Sequence, residues 1–260
     1  MHFHILLETI SQNWHIISLF FIVAILYSSV GFGGGSSYLA ILALTGIIYT
    51  QIRATALLCN IVVVSGNVFL YYQQNKLDLK KIIPLVLFSV PFAYLGGYLK
   101  ISQEFFFILL GFTLLFAAIS MWITKRIVAS NKKNIPTKKL KNATYGGFIG
   151  FISGMIGIGG GIFLAPLLHL TNWDTPKRIA ATASLFILVN SIAGLMGQYS
   201  NPDFIINWPL TSVLLVTVFI GGRIGNTISN QLFSPIQLKK ATAILIAFVS
   251  IRVLCKHFFT

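Results

Sequence analysis

Two glycine-rich runs are where this otherwise apolar chain could do chemistry: Gly31-Phe32-Gly33-Gly34-Gly35 and Gly157-Ile158-Gly159-Gly160-Gly161. Each interrupts a long apolar stretch, residues 15–50 and 141–171, near its middle. Glycine lets a chain turn tightly and lets another group approach the backbone closely. After each run a new helix is expected to begin, near Ser36 and near Ile162. Its first N–H groups have no partner within the helix, and the macrodipole gives that end partial positive charge. Such an end suits a small anion, because N–H donors supply hydrogen bonds without placing a full charge in an apolar medium. Ser36 and Ser37 add hydroxyls at the first break, whereas Ile162 and Phe163 add none at the second, so the expected site is asymmetric. Glycines also permit close helix packing. For the two runs both readings stay open; for Gly96/Gly97 and Gly221/Gly222, packing is the favoured one.

Other candidates lie on the helices that follow. Thr55, Thr182 and Ser184 belong to stretches that recur after the two breaks, and Asn190 lies further along the second. Arg223 falls within an apolar span, where charge marks a pathway by default; it is also near the end of the span, where snorkelling competes. Together with the glycines and Ser36 these form the expected substrate-binding set. Asn60, Asn67 and Gln198 could line a cavity or bond neighbouring helices. Arg53 and Arg178 start the helices after the breaks and read first as topology markers, second as anion attractors. His169 reads as structural before it reads as a proton carrier. The five acids, Glu8, Asp78, Glu104, Asp174 and Asp203, all fall in expected loops or near the N-terminus. No carboxylate is therefore expected at depth for a proton relay or a cation site.

These residues must be held by something, and composition says what. Of 260 residues, 56% are hydrophobic and 9% charged, against about 25% charged in soluble domains. The expected class is an all-α polytopic membrane protein, multi-pass in the cell membrane. A β-barrel would need period-two alternation in place of unbroken runs such as residues 108–119. The net charge of +14 reads as topology-setting Lys and Arg that meet lipid headgroups, not as a nucleic-acid surface. Cys59 and Cys255 suggest neither a disulfide nor a metal site, and no cofactor is expected. The first 14 residues carry no Lys or Arg, so the first apolar segment reads as a retained helix rather than a signal peptide.

A hydrocarbon core about 30 Å thick needs about 20 apolar residues. Residues 54–72, 82–99 and 105–123 qualify, and 182–199, 208–230 and 237–254 match them in the second half. Each glycine-broken region divides into two pieces of about 15 residues, too short for a comfortable span at 1.5 Å per residue. Residues 125–141 hold seven of the 19 Lys and Arg and read as a cytoplasmic linker. Treating each broken region as a hairpin inverts the halves and puts most basic loops inside. Treating each as one span makes the halves parallel and weakens that bias.

The halves are related in sequence. Besides the GxGGG runs, Ala54-Thr55-Ala56-Leu57-Leu58 recurs as Ala181-Thr182-Ala183-Ser184-Leu185. Tyr94-Leu95-Gly96-Gly97-Tyr98-Leu99 recurs as Phe219-Ile220-Gly221-Gly222-Arg223-Ile224. The offsets of 126, 127 and 125 residues keep register across a whole half, which marks a duplication. The expected organisation is a repeat over 1–124, the linker at 125–141 and a second repeat over 142–260. Each repeat is a glycine-broken helical hairpin followed by three transmembrane helices. Duplicated, inverted halves with matching interrupted helices are a common build of secondary transporters.

The paired GxGGG runs, the Ala-Thr-Ala-Ser-Leu stretch at 181–185, and Gly221-Gly222-Arg223-Ile224-Gly225 followed by Leu238-Lys239-Lys240-Ala241-Thr242 resemble the TauE/SafE (sulfite exporter) permeases. The likeness covers almost the whole chain. It implies a transporter of sulfite or organosulfur anions such as sulfonates, with Gly31, Gly33, Gly34, Gly35, Gly157, Gly159, Gly160 and Gly161 as the motif positions. One departure is Leu57, where the second half has Ser184.

The expected function is therefore carriage of a small anion by alternating access around the two broken helices, without enzymatic activity. The alternatives are a passive anion channel and a non-transport membrane assembly subunit. Expected partners are the anion and membrane lipids, with homo-oligomerisation left open.

Overall fold

The computed structural model describes residues 2–123, 139–171, 173–228 and 235–258, so most of the basic 125–141 linker lies outside the described residues. Ten helices follow one another: α1 (His2–Ser29), α2 (Gly35–Ala43), α3 (Tyr49–Gln73), α4 (Leu79–Tyr98) and α5 (Gln103–Ile123) form the first set. The second is α6 (Lys139–Ile156), α7 (Gly161–Leu170), α8 (Pro176–Tyr199), α9 (Trp208–Ile228) and α10 (Pro235–Phe258). No strand occurs among the described residues. Six described helices are long and apolar enough to cross a membrane: α1, α3, α4, α5, α8 and α9.

The breaks fall where the glycines put them, but the pieces are unequal. α1 has 28 residues and α2 only nine; α6 has 18 and α7 has 10. The expectation of two pieces near 15 residues is corrected on this point. α1 begins well before the apolar region at residue 15 and passes a kink at Asn13. At 1.5 Å per residue α2 and α7 are about 14 and 15 Å long. Neither can cross the bilayer alone. α2 instead folds back along α1: the Tyr38 ring stacks on Phe20 at 4.6 Å, and Tyr27 Oη lies 2.9 Å from Ser37 Oγ.

Contacts between loops fix the directions of the helices. Lys81, at the start of α4, bonds Asp174, just before α8, at 2.8 Å. Lys100, just past α4, pairs with Asp203, just past α8, at 2.8 Å. α4 and α8 are thus parallel. The Tyr49 hydroxyl, at the start of α3, donates to the Ile101 carbonyl beyond the end of α4 at 2.7 Å. α3 therefore runs from the Lys100 end to the Lys81 end, opposite to α8, its counterpart in the second repeat.

The repeats are interleaved through glycines. A Cβ at Gly146, Gly150 or Gly154 of α6 would run into the carbonyls of Leu85, Ser89 and Ala93 on α4. The equivalent pair is α1 on α9, where Gly221 and Gly225 meet the carbonyls of Phe21 and Ile25. Spacing of four puts these glycines on one helix face, so backbones approach closely without a side-chain layer between them. Gly97 likewise faces the Gly194 carbonyl of α8. Packing is thus the role of Gly96/Gly97 and Gly221 in this fold.

Candidate functional site: a cavity between two broken helices

Each half-helix starts from a glycine in the left-handed region. Gly34 caps α2 with φ 85° and Gly160 caps α7 with φ 83°, and neither N-cap carries a side-chain hydrogen bond. Gly31, Gly157 and Gly159 also have φ between 81° and 92°, a conformation disfavoured for residues with a Cβ. The runs are glycine because the turn from the long helix into the short one requires it.

The two turns come from opposite sides and meet at one side chain. Asn60, fully buried near the middle of α3, lies against Gly33 and Gly35 of the first break. Its Nδ2 donates to the Ile158 carbonyl of the second break at 2.9 Å, while its Oδ1 has no hydrogen-bond partner. Between the breaks is a cavity of about 60 Å³, several times the 10–15 Å³ that admits one water. Gly33, Gly34, Gly35 and Ser36 line it from the first repeat and Ile158, Gly161 and Ile162 from the second, with Asn60 between them. The lining then follows α1 and α7 toward the Lys81 end through Leu26, Val30, Pro166 and His169. Apolar walls with a few convergent polar groups are the usual make-up of a small-molecule site.

The remaining expected residues divide between this cavity and its supports. Gly31 does not line it; its carbonyl accepts the Ser184 hydroxyl of α8. The Ser184 hydrogen is therefore shared between two carbonyls, since Ala180 lies at 2.9 Å as well, and the side chain anchors the break to α8. Gly157 packs on the Arg53 backbone, Gly159 against Ser191 and Asn60, and Gly160 against Phe186 and Ser153. The Ser153 and Ser191 hydroxyls beside these glycines are buried without partners. Thr55 pairs with Thr211 at 3.0 Å, in a contact between α3 and α9. Thr182 is buried on α8 and does not line the cavity. Asn190 turns its Nδ2 back to the Phe186 carbonyl at 2.8 Å. Arg223 lies apart, exposed on α9 in a separate groove beside Gly66, Phe69 and Asn226.

Asn60 was not in the expected set, and its repeat partner explains why. At the 127-residue offset it corresponds to Ile187, so the duplication gives no signal for it. Arg53 is the other surprise. Instead of flanking the helix end in solvent, it is 3% exposed, and its Nη2 donates to the carbonyls of Gly96, Gly97 and Gly154 at 3.2–3.4 Å. Arg178 does stay at the surface, 3.7 Å from Asp174.

The fold and this cavity define a class: an integral, multi-pass membrane protein built on two paired broken helices. The family model described as "Sulfite exporter TauE/SafE" matches residues 16–253, and the chain belongs to that family. It is 30% identical to "Probable membrane transporter protein y4hK" of Sinorhizobium fredii, over 90% of this chain and 95% of that protein. It is 27% identical to "Probable membrane transporter protein MJ0441" of Methanocaldococcus jannaschii, over 84% and 86% of the two chains. "Probable membrane transporter protein YunE" of Bacillus subtilis is 29% identical over 32% of this chain and 30% of its own. No solved structure matches.

Proposed function

We propose that this protein is a secondary transporter for small anions, sulfite and organosulfur anions among them, working by alternating access around the two broken helices. One observation carries the reading: two half-helix N-termini without side-chain caps, at Gly34–Ser36 and Gly161–Ile162, converge on one cavity from opposite directions. Irregular backbone at membrane depth belongs in protein interior or along a cavity, and paired half-helix N-termini supply partial positive charge to an anion held there. The five acids support the sign of the ligand, since none lines the cavity. Sulfur as the ligand's central atom is supported by family membership.

Opposed directions of α3 and α8 support inverted repeats, the arrangement in which exchanging the conformations of the two halves moves the opening from one face to the other. The Lys81 end gathers Lys76, Lys80, Lys81, Lys177 and Arg178 and is assigned to the cytoplasm on that bias. The cavity lining runs toward that end, so this conformation is the inward-facing one.

The test is a thermal-shift screen of the purified protein against sulfite, thiosulfate, sulfate, sulfoacetate and acetate. The reading expects the melting temperature to rise with concentration for at least one sulfur anion, as ligand linkage requires. No shift with any of the sulfur anions, or a shift with acetate alone, would overturn it.

A further inference from the structure

A second polar site lies at the opposite end of the bundle from the lining of the central cavity. It is a depression of about 20 Å³ bounded by Tyr49, Arg53, Gly97, Lys100, Gln198 and Asp203. Two donors in it have nothing to bond. Arg53 Nε and Gln198 Nε2 are both buried without a hydrogen-bond partner, on side chains 3% and 5% exposed. No carboxylate pairs with Arg53 among the described residues: its Nη2 reaches only three backbone carbonyls. Asp203, the acid nearest the mouth, is taken by Lys100 at 2.8 Å.

A buried guanidinium without a counter-charge is unfavourable unless something negative visits it. Two unpartnered donors, both N–H and from different repeats, select for an acceptor and against a cation. The volume admits one oxygen of an oxyanion, leaving the rest of the ion at the mouth, where Lys100 and Asp203 pair. We infer that Arg53 and Gln198 form a second small-oxyanion site, distinct from the central cavity and at its far, Lys100 side. The Arg53 backbone lies against Gly157, and its Nη2 ties α3 to α4 and α6. An anion drawn to Nε therefore engages the side chain that joins the second break to its neighbours.

This inference rests on the anion reading of the central cavity, and binding stoichiometry separates the two. Equilibrium binding of radiolabelled sulfite is measured on the full chain in detergent for the wild type, Gln198→Met and Gly34→Val. Gln198→Met removes an amide donor that has no partner in the protein, keeps the side-chain length, and breaks no native hydrogen bond of that nitrogen. Its melting temperature in the absence of sulfite is recorded alongside. The expectation is two sulfites per wild-type chain and one in each variant, with the affinity of the remaining site within about twofold of its wild-type value. One sulfite lost in Gln198→Met but kept in Gly34→Val would keep this site and remove the central one. One sulfite lost in Gly34→Val but kept in Gln198→Met would overturn this inference and leave the central reading intact. No sulfite bound to the wild type overturns both.

Discussion

Asn60 Nδ2 and the Ile158 carbonyl are 2.9 Å apart, and this bond ties the broken helix of the second repeat to the middle of α3 in the first. The same side chain fills the space that a Cβ on Gly33 or Gly35 would occupy. One residue thus registers both breaks against each other. It is neutral where an Asp would be isosteric, so it adds no negative charge to the cavity lining.

Asn60→Asp is expected to weaken anion binding by more than tenfold. A unit charge about 4 Å from an anion contributes roughly 4 kcal/mol of repulsion at an effective dielectric of 20. Asn60→Ala removes the bond to Ile158 without adding charge, and is expected to lower stability by about 1 kcal/mol. Binding curves for sulfite on the two variants check this; equal affinities would argue that no anion comes near Asn60.

Gly150→Ala places a methyl against the Ser89 carbonyl at the α4–α6 contact. Backbone cannot move aside as a side chain can, so a loss of about 1–3 kcal/mol is expected. Gly66→Ala is the control, because its Cβ would meet only the Asn226 amide at 3.3 Å. Thermal unfolding in detergent should separate the two clearly.

The Asp174 carboxyl links the starts of α4 and α8. Burial alone would raise its pKa, but the hydrogen bonds from Lys81 and the Thr175 N–H, with the charges of Lys81 and Arg178, hold it below the usual carboxylate range. A depressed folded pKa contributes stability that is present above the unfolded value, near 3.9, and lost as pH falls through the folded one. Asp174→Asn should therefore remove ~0–1 kcal/mol of stability between pH 5 and 8, as for a pair whose lysine is half-exposed, and lower the melting temperature slightly. The difference from wild type should shrink as pH falls below the unfolded value and be gone once the pH is below the folded one.

The breaks were legible in the sequence because duplication wrote them twice, and because a left-handed turn at Gly34 and Gly160 has almost no alternative to glycine. Helix positions followed from apolar length, to within three residues at each end for α4 and α5 and at the start of α9, whereas α3 and α8 begin five and six residues before their apolar spans. Less visible was anything that depends on which helices touch. Asn60 and Ile187 occupy equivalent positions with unlike chemistry, so the repeat hid the residue that registers it. Gly146, Gly150 and Gly154 gain meaning only when α6 is seen against α4. Arg53 has the sequence context of a helix-flanking topology marker, and only the fold turns it inward onto three carbonyls. That Ser184 bonds the Gly31 carbonyl across the repeats is likewise visible only in the fold.

If the two glycine-capped half-helices carry an anion across the membrane, flux through the protein depends on both. The wild type, Gly34→Val and Gly160→Val are reconstituted into proteoliposomes after size-exclusion chromatography shows that each inserts and remains monodisperse. Radiolabelled sulfite uptake is then followed with and without sulfite inside. A Cβ at Gly34 meets Val23 and Tyr38, and one at Gly160 meets Phe186, with the left-handed backbone adding roughly 1–2 kcal/mol at each. Saturable wild-type uptake, accelerated by internal sulfite, is expected, with uptake reduced to background in both variants. Normal flux in both variants, or wild-type flux that neither saturates nor responds to internal sulfite, would contradict it.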